Sequence, residues 1–281
     1  MLNMLSEQMR KRLQTLNRSP LQGLCDGEGV MAMTSEEPAN RTPRTVEELF
    51  TGRQAGGERE SCYLIERPAT RWWPAAGDIV NRFQALAGVS GGAAFRVRTP
   101  DLARLAARLP HAWVYLDIET CGFAGMPVFL IGLLRTRGGE LIVEQMLARH
   151  YGEERGILAQ LAASTDPAEV LITFNGKSFD WPVLLDRAAV HRIRLPEPSF
   201  HCDLLHEARR RWGRSLPDCR LQTLELHKCG RRRNADIPSS AIPDTYHRFV
   251  QTQDAGLLKE VISHNALDLV TLAELTLHLL R

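Results

Sequence analysis

The pattern of apolar and polar positions becomes regular from about residue 99 and changes between the periods of strands and helices. Three strand-like runs come first, "HAWVYLDIET", "VFLIGLLRTR" and "ELIVEQML", and a Gly-Gly turn joins the second and third as a hairpin. Helices and strands then alternate through "GEERGILAQLAAS", "AEVLITFN", "SFDWPVLLDRAAVHR" and "PSFHCDLL", and further helices follow. This order predicts an α/β fold with a mixed five-stranded sheet and flanking helices.

The part of the chain before residue 99 carries weaker signals. Apolar positions over 2–16 fit an amphipathic helix, and the stretch after it is rich in Gly, Pro, Ser and Thr, which is typical of a linker. A strand at "SCYLIER" and a helix at "DIVNRFQALAGV" follow. We therefore predict a mobile or partly helical arm over 1–60, a small accessory region over 61–98 and the main domain over 99–281.

Composition narrows the class of protein. With 44% hydrophobic and 24% charged residues, the chain is typical of a soluble globular protein, and it has no apolar run of the roughly 20 residues that a membrane span needs. Glu7, Arg10 and Lys11 lie where a secretion signal has its apolar centre, so we expect a cytoplasmic protein. The six cysteines form no C-x-x-C pair, which fits free thiols and argues against a structural zinc site.

The net charge of +2 conceals an uneven distribution of charge. Nine basic residues lie between Leu204 and Asn234, against three acids. Such a segment fits a surface that binds a polyanion. A solvated face that keeps the protein soluble fits it equally well.

Two acids interrupt the apolar strand in "VYLDIETCGF". Asp117 and Glu119 share one face of this strand because strand side chains alternate, and Ile118 points the other way. An unpaired carboxylate in apolar surroundings costs several kcal/mol or gives up its charge. The sequence therefore predicts a cation between the two acids.

Further acids lie at positions where they can join this pair. Asp180 opens the helix after a buried strand, where ligands of open α/β sheets collect, although a helix cap fits it as well. Asp268 lies on the last helix four residues after His264, so the two side chains share a face, as an ordinary surface pair also would. Asp203 precedes a helix and is more typical of a cap than of a metal ligand.

The patterns D-x-E, N-G-x-x-F-D and H-N-x-x-D occur in this order and resemble the three exonuclease motifs of the DEDD (DnaQ-like) superfamily of 3′–5′ exonucleases. Between the second and third, "DLLHEARR", "LPDCRLQTLE" and "DIPSSAIPDTY" resemble the YprB-like branch of that superfamily. The resemblance covers about residues 99–281. One departure is the position of His264, four residues before the last Asp, where one subfamily places Tyr and another places His five residues before.

The resemblance implies an RNase H-like fold and a metal-dependent 3′–5′ exonuclease acting on single-stranded DNA or RNA ends. It implies that His264 orients or deprotonates water and that four carboxylates hold two Mg²⁺ or Mn²⁺ ions. These four are Asp117, Glu119, Asp180 and Asp268. Thr120, Asn175 and Lys177 lie beside the acids and are candidates for contacts with the nucleic acid, although turn or solvated-surface roles fit them equally.

Two other functions fit the same residues. One is a non-catalytic nucleic-acid-binding module of the same fold, which would bind a strand without shortening it. The other is an RNase H-fold endonuclease, which would cut covalently closed circles that an exonuclease leaves intact. No membrane partner is expected, and the sequence leaves protein partners open.

Overall fold

The computed structural model describes residues 42–58, 60–88, 99–108, 110–122, 125–233 and 236–281. The helix predicted over 2–16 lies outside these residues. The predicted division of the chain at residues 60 and 98 stays a prediction.

A mixed seven-stranded sheet forms the centre of the described chain, in the order β1-β2-β5-β4-β3-β6-β7. The strands are β1 Arg53–Ala55, β2 Cys62–Pro68, β3 Trp113–Thr120, β4 Val128–Arg137, β5 Glu140–Leu147, β6 Val170–Thr173 and β7 Phe200–Asp203. Neighbours from β1 to β3 are antiparallel, whereas β3–β6 and β6–β7 are parallel. The predicted mixed α/β sheet is confirmed.

The number of strands differs from the predicted five. The two additional strands, β1 and β2, extend the antiparallel edge beyond β5. β2 matches the predicted strand at "SCYLIER", but nothing in its local pattern indicates that it joins the main sheet. β1 has three residues, of which two are exposed, and is too short to produce a readable alternation.

Helices cover the sheet in the described part of the chain. They are α1 Val46–Leu49, α2 Ala76–Gly88, α3 Pro100–Ala106, α4 Glu154–Ser164, α5 Asp180–Val190, α6 Leu204–Trp212, α7 Leu221–Lys228, α8 Ile242–Thr252 and α9 Leu258–Leu280. The positions of α2 to α9 agree with the helical periods of the sequence to within a few residues at each end, whereas α1 has only four residues and adds to the predicted helices. Within the described ranges, no helix is both long enough and apolar enough to cross a bilayer.

The two faces of β3 pack into different hydrophobic clusters. Ile118 lies in the cluster that includes Leu158 of α4, and Tyr115 lies in the cluster that includes Leu269 of α9. Because side chains alternate along a strand, Asp117 continues the face of Tyr115 toward the α9 side. Asp117 and Glu119 lie on the opposite face of β3 from Ile118, as predicted. This face packs beside the last helix, α9.

Candidate functional site

The first pair of acids lies at the carboxyl-terminal end of β3. Asp117 pairs in register with Gly132 of β4, and the register shifts between Glu119 and Thr120. Such a bulge bends a strand and redirects its side chains, and it ends the regular ladder just after the second acid. The backbone here therefore presents two carboxylates near the carboxyl-terminal end of a central strand.

Asp180 joins this pair from α5. Phe179 is the cap residue of α5 and makes no side-chain capping bond, so Asp180 is the first helical residue instead of the cap. Its carboxylate accepts hydrogen bonds from its own N–H and from the N–H of Ile118, which lower its pKa. Burial is the larger effect and, with the nearby charges of Asp203 and Asp268, raises the pKa of Asp180 to about 7. The first residue of α5, Asp180, thus bonds to β3, and its raised pKa disfavours the ionised form.

Asp268 completes the group from α9. Burial is the main cause that raises the pKa of Asp117 and Glu119 well above their ordinary values, and Asp268 is the neighbouring charge with the largest effect on both. Asp180 adds to both shifts. The four acids predicted from the sequence are therefore close enough to repel one another, although they come from three separate elements.

Arg233 supplies a positive charge to this group and was missed as a site residue. Its guanidinium pairs with Asp268, bonds Asp236 Oδ2 through Nη1 at 3.2 Å, and lies 2.7 Å from Glu225 Oε2 through Nη2. Burial raises the pKa of Asp268, whereas Arg233 and His264 lower it. Arg233 therefore offsets part of the negative charge of the four acids.

The basic segment that contains Arg233 is not one continuous surface. The side chain of Arg231 is 1% exposed and pairs with Glu225 at 2.6 Å and Glu274 at 3.3 Å. Exposed basic residues remain on both sides of it, at Arg209, Arg210, Arg214, Arg220 and Arg232. The sequence does not reveal this division, because charge patterning does not distinguish a buried ion pair from a solvated side chain.

His264 is buried beside Asp268, on the face that the four-residue spacing predicted. Its Nδ1 lies 2.7 Å from Asp236 Oδ1, and its Nε2 lies 3.6 Å from Asp268 Oδ2. Because an ionised carboxylate only accepts hydrogen bonds, Nδ1 is the donor in this pair, and Nε2 faces Asp268. Asp236 belongs to the "DIPSSAIPDTY" motif, which was the one sequence signal that pointed to it.

Asn265 holds Asp117 from the next position of α9. Its Nδ2 donates to Asp117 Oδ2 at 2.8 Å, and its Oδ1 accepts from Gln145 Nε2 at 2.9 Å. Gly132 makes room for this amide, because a Cβ at residue 132 would overlap it, 2.8 Å from its Cγ. In the sequence Asn265 is only one letter of H-N-x-x-D, and its role depends on contacts across three elements.

The predicted nucleic-acid contacts lie on two sides of the acids. Thr120 lines a cleft of about 770 Å³ together with Glu119, Met126, Phe179, Ile242 and Pro243. Asn175 and Lys177 lie in the turn after β6, where their N–H groups donate to the Asp203 carboxylate at 2.8 and 3.1 Å. Asp203 also caps α6 through the N–H of Leu205, so its predicted role as a cap is confirmed.

The donors of this site fit hard divalent cations. All four acids offer oxygen, which suits Mg²⁺ and Mn²⁺, and burial is the main cause that raises the pKa of each. One guanidinium does not neutralise four carboxylates. The donor atoms thus suit divalent cations, and Glu119 also lines the adjacent cleft.

Comparison with known proteins places this geometry in a family. A family model of the RNase H superfamily matches residues 114–280. The chain is 37% identical over 170 residues to "Uncharacterized protein YprB" of Bacillus subtilis (strain 168). The aligned residues make up 59% of this chain and 41% of the relative. The chain therefore matches less than half the length of that relative. The family B DNA polymerase from the hyperthermophilic archaeon Pyrobaculum calidifontis aligns with a TM-score of 0.46 and 17% identity, over 58% of this chain and 24% of the polymerase.

Proposed function

Because the chain belongs to the RNase H superfamily, we propose that it is a metal-dependent 3′–5′ exonuclease that acts on single-stranded nucleic-acid ends. We place it in the YprB-like branch of the DEDD exonucleases. The observation that supports this most is the convergence of four carboxylates from β3, α5 and α9, where burial and, to a smaller extent, the charge of Asp268 raise the pKa of the other three. Structural proteins rarely bury uncompensated charge, because each such group costs several kcal/mol.

We assign the metal ions, two Mg²⁺ or Mn²⁺, to the four carboxylates of Asp117, Glu119, Asp180 and Asp268. Bound there, such ions would activate the attacking water and offset the charge that develops on the leaving oxygen. Asn265 orients the Asp117 carboxylate through the bond at 2.8 Å. The hydrogen bond from Ile118 does the same for Asp180. The protein thus fixes the direction of its ligands before any ion arrives.

His264 is the residue that we propose as general base. With Nδ1 bonded to Asp236, Nε2 is directed to the side of Asp268, and in the neutral imidazole it is the atom that would accept the proton of the attacking water. Asp236 acts through His264, since it fixes the tautomer and the ring orientation. The four-residue spacing to Asp268 therefore agrees with the role proposed for His264.

The cleft beside Glu119 is where we place the last nucleotide of the strand. Met126 and Phe179 line it and are 42% and 39% exposed, unusual for large apolar side chains, and such surfaces suit the face of a base. Thr120 would meet this nucleotide through its backbone. Asn175 and Lys177 would meet a base and a phosphate, and Lys177 is free to do so because it is exposed and its pair with Asp101 is long, at 3.4 Å.

The proposed activity is tested with a 5′-labelled single-stranded oligonucleotide. We expect a ladder of products shortened from the 3′ end with Mg²⁺ or Mn²⁺, and no products after EDTA treatment, because the carboxylates depend on the ions. DNA, RNA and covalently closed circles of the same sequence are run side by side. The circles should remain intact.

Two outcomes of this assay would contradict the proposal. Cleavage of the circles would identify an endonuclease of the same fold. Binding of the oligonucleotide without shortening, at saturating metal, would identify a non-catalytic binding module.

A separate prediction concerns Asp236. Asp236→Asn should lower kcat by about tenfold or more and change KM little, because it weakens the orientation of His264, whereas His264→Ala should cost at least about a hundredfold. If Asp236 acts through His264, the double variant should be no slower than His264→Ala alone. Additive losses in the double variant would show that Asp236 acts independently. Steady-state kinetics on the oligonucleotide measures all three.

A further inference from the structure

A second cluster of potential metal ligands lies on the far part of α9. It consists of Cys229, Glu274 and His278, and one ligand atom from each lies within 4.8 Å of the others. All three side chains are half-buried. Glu274 and His278 are one helical turn apart on α9, and Cys229 directly follows the last residue of α7. A thiol, a carboxylate and an imidazole thus converge from two elements.

This cluster is distinct from the acids of the proposed nuclease site. Six residues of α9 separate Asp268 from Glu274, which is about 9 Å along a helix axis. The donors also differ, because sulfur and nitrogen accompany one oxygen ligand here. The two sites therefore favour different ions.

Burial and the charges around the cluster set the protonation state of His278 and of Cys229. Burial, followed by the charges of Arg82 and three other nearby cations, lowers the pKa of His278 to about 4, so its imidazole is neutral at pH 7. Burial and Glu274 raise the pKa of Cys229, so it holds its proton in the metal-free protein. A metal that binds Cys229 would displace that proton to solvent and leave a thiolate ligand.

Several arginines compete with a cation at this place. Arg82 Nη1 lies 3.9 Å from Glu274 Oε1, and Arg231 Nη1 lies 3.3 Å from Oε2. Arg231 is already paired with Glu225 at 2.6 Å, so it does not depend on Glu274 alone. A thiolate and a carboxylate together carry two negative charges, which match the two positive charges of a divalent ion.

We propose that Cys229, Glu274 and His278 bind a Zn²⁺ ion that ties the end of α7 to α9. Thiolate, imidazole and carboxylate are all ligands of Zn²⁺, and three protein ligands leave one of its four positions for water. Mg²⁺ avoids sulfur, so it does not compete at this site. The absence of a C-x-x-C pair hides the site in the sequence, because its ligands lie 45 and 49 residues from Cys229.

The ion would stabilise the segment that follows α7. Arg231 and Arg233 lie two and four residues after Cys229 and direct their guanidinium groups to Glu225 and to Asp268. Fixing Cys229 against α9 restricts where this segment begins. The Zn²⁺ site is therefore a structural support for the residues that reach the acids.

The test uses the full chain carrying Asp117→Ala, treated with EDTA and titrated with Co²⁺ and then Zn²⁺. We expect one equivalent of Co²⁺ to give a thiolate-to-metal absorption band that Zn²⁺ abolishes. Cys229→Ser should remove the band, and both Cys229→Ser and His278→Ala should weaken Zn²⁺ binding at least about tenfold. Cys219→Ser and His227→Ala are the matched controls and should change neither.

The proposal is wrong if Co²⁺ gives no thiolate band, or if the band survives Cys229→Ser. It is also wrong if Cys219→Ser removes the band. Because the readout is absorption and binding in a variant without Asp117, the result is independent of the exonuclease assay. A protein without nuclease activity can still bind Zn²⁺ here, and a protein with nuclease activity can lack Zn²⁺ here.

Discussion

Asp117→Asn should abolish nuclease activity and at the same time stabilise the metal-free protein above neutral pH. The loss of one group that stabilises a transition state costs up to about a thousandfold. Because the substitution removes a charged ligand of the metal ions, we expect at least about a thousandfold loss of activity. The gain in stability comes from removing a charge that burial disfavours most and that Asp268, Glu119 and Asp180 repel.

The pH dependence of this gain follows from the direction of the pKa shift. The pKa of Asp117 is raised well above 3.8 by burial, so the folded protein holds a proton that the unfolded chain loses near pH 3.8. Below pH 3.8 both states are protonated and the carboxylate carries no penalty. As pH rises toward the folded-state pKa, the penalty grows and stability falls. The neutral amide introduced by Asp117→Asn lacks this penalty, so the variant gains stability at pH 8 and little at pH 4.

Thermal unfolding in EDTA at both pH values measures this difference, and the oligonucleotide assay measures activity. Asp186→Asn is the matched control, an exposed Asp on the same helix as Asp180, and it should change neither quantity. Equal activity of wild type and Asp117→Asn would refute the assignment of the metal ligands. A lower melting temperature of Asp117→Asn at pH 8 would refute the repulsion among the acids.

Gly132→Ala should lower both stability and activity, although residue 132 carries no functional group. Its new Cβ would overlap the amide of Asn265, and overpacking of this kind costs about 1–3 kcal/mol. Displacement of Asn265 also removes the bond that orients Asp117. Because small errors in the position of a catalytic group can cost about a hundredfold, we expect a loss of activity of that order.

Two further variants test whether the effect of Gly132→Ala arises from its overlap with Asn265. Gly57→Ala is the matched control, since a Cβ there meets nothing within 4 Å and its φ is ordinary, so it should keep full activity. Adding Asn265→Ala to Gly132→Ala removes the overlap and should restore part of the stability without restoring activity. Denaturant unfolding and the oligonucleotide assay measure these variants. Full activity in Gly132→Ala would contradict the role of Asn265.

The elements of the main sheet could be predicted because their patterns are local. The apolar run of β4, the Gly138–Gly139 turn with both φ values positive, and the Thr99 cap of α3 are each contained in a few adjacent residues. The edge strand β1 could not be predicted in this way, because it depends on pairing with β2 and has too few residues to show a period.

The residues of the candidate site divide in the same way, into those that a local pattern indicates and those whose roles depend on contacts between distant residues. The proximity of the four acids could be predicted, because the order of D-x-E, F-D and H-N-x-x-D resembles that of a known family. Arg233 and Asn265 could not, because their roles come from contacts with residues 35 and 148 positions away. Asp236 was visible as part of a motif, but its contact with His264 is a property of the folded chain.

The pairing of Arg233 with Asp268 has a consequence for the order in which the protein matures. One of the crowded negative charges already has a positive neighbour that belongs to the polypeptide itself. In the proposed nuclease, the chain would therefore reach its compact state first and bind its ions afterwards. Folding and metal binding would then be two separate events, and a shortage of metal would limit the proposed activity without preventing the fold.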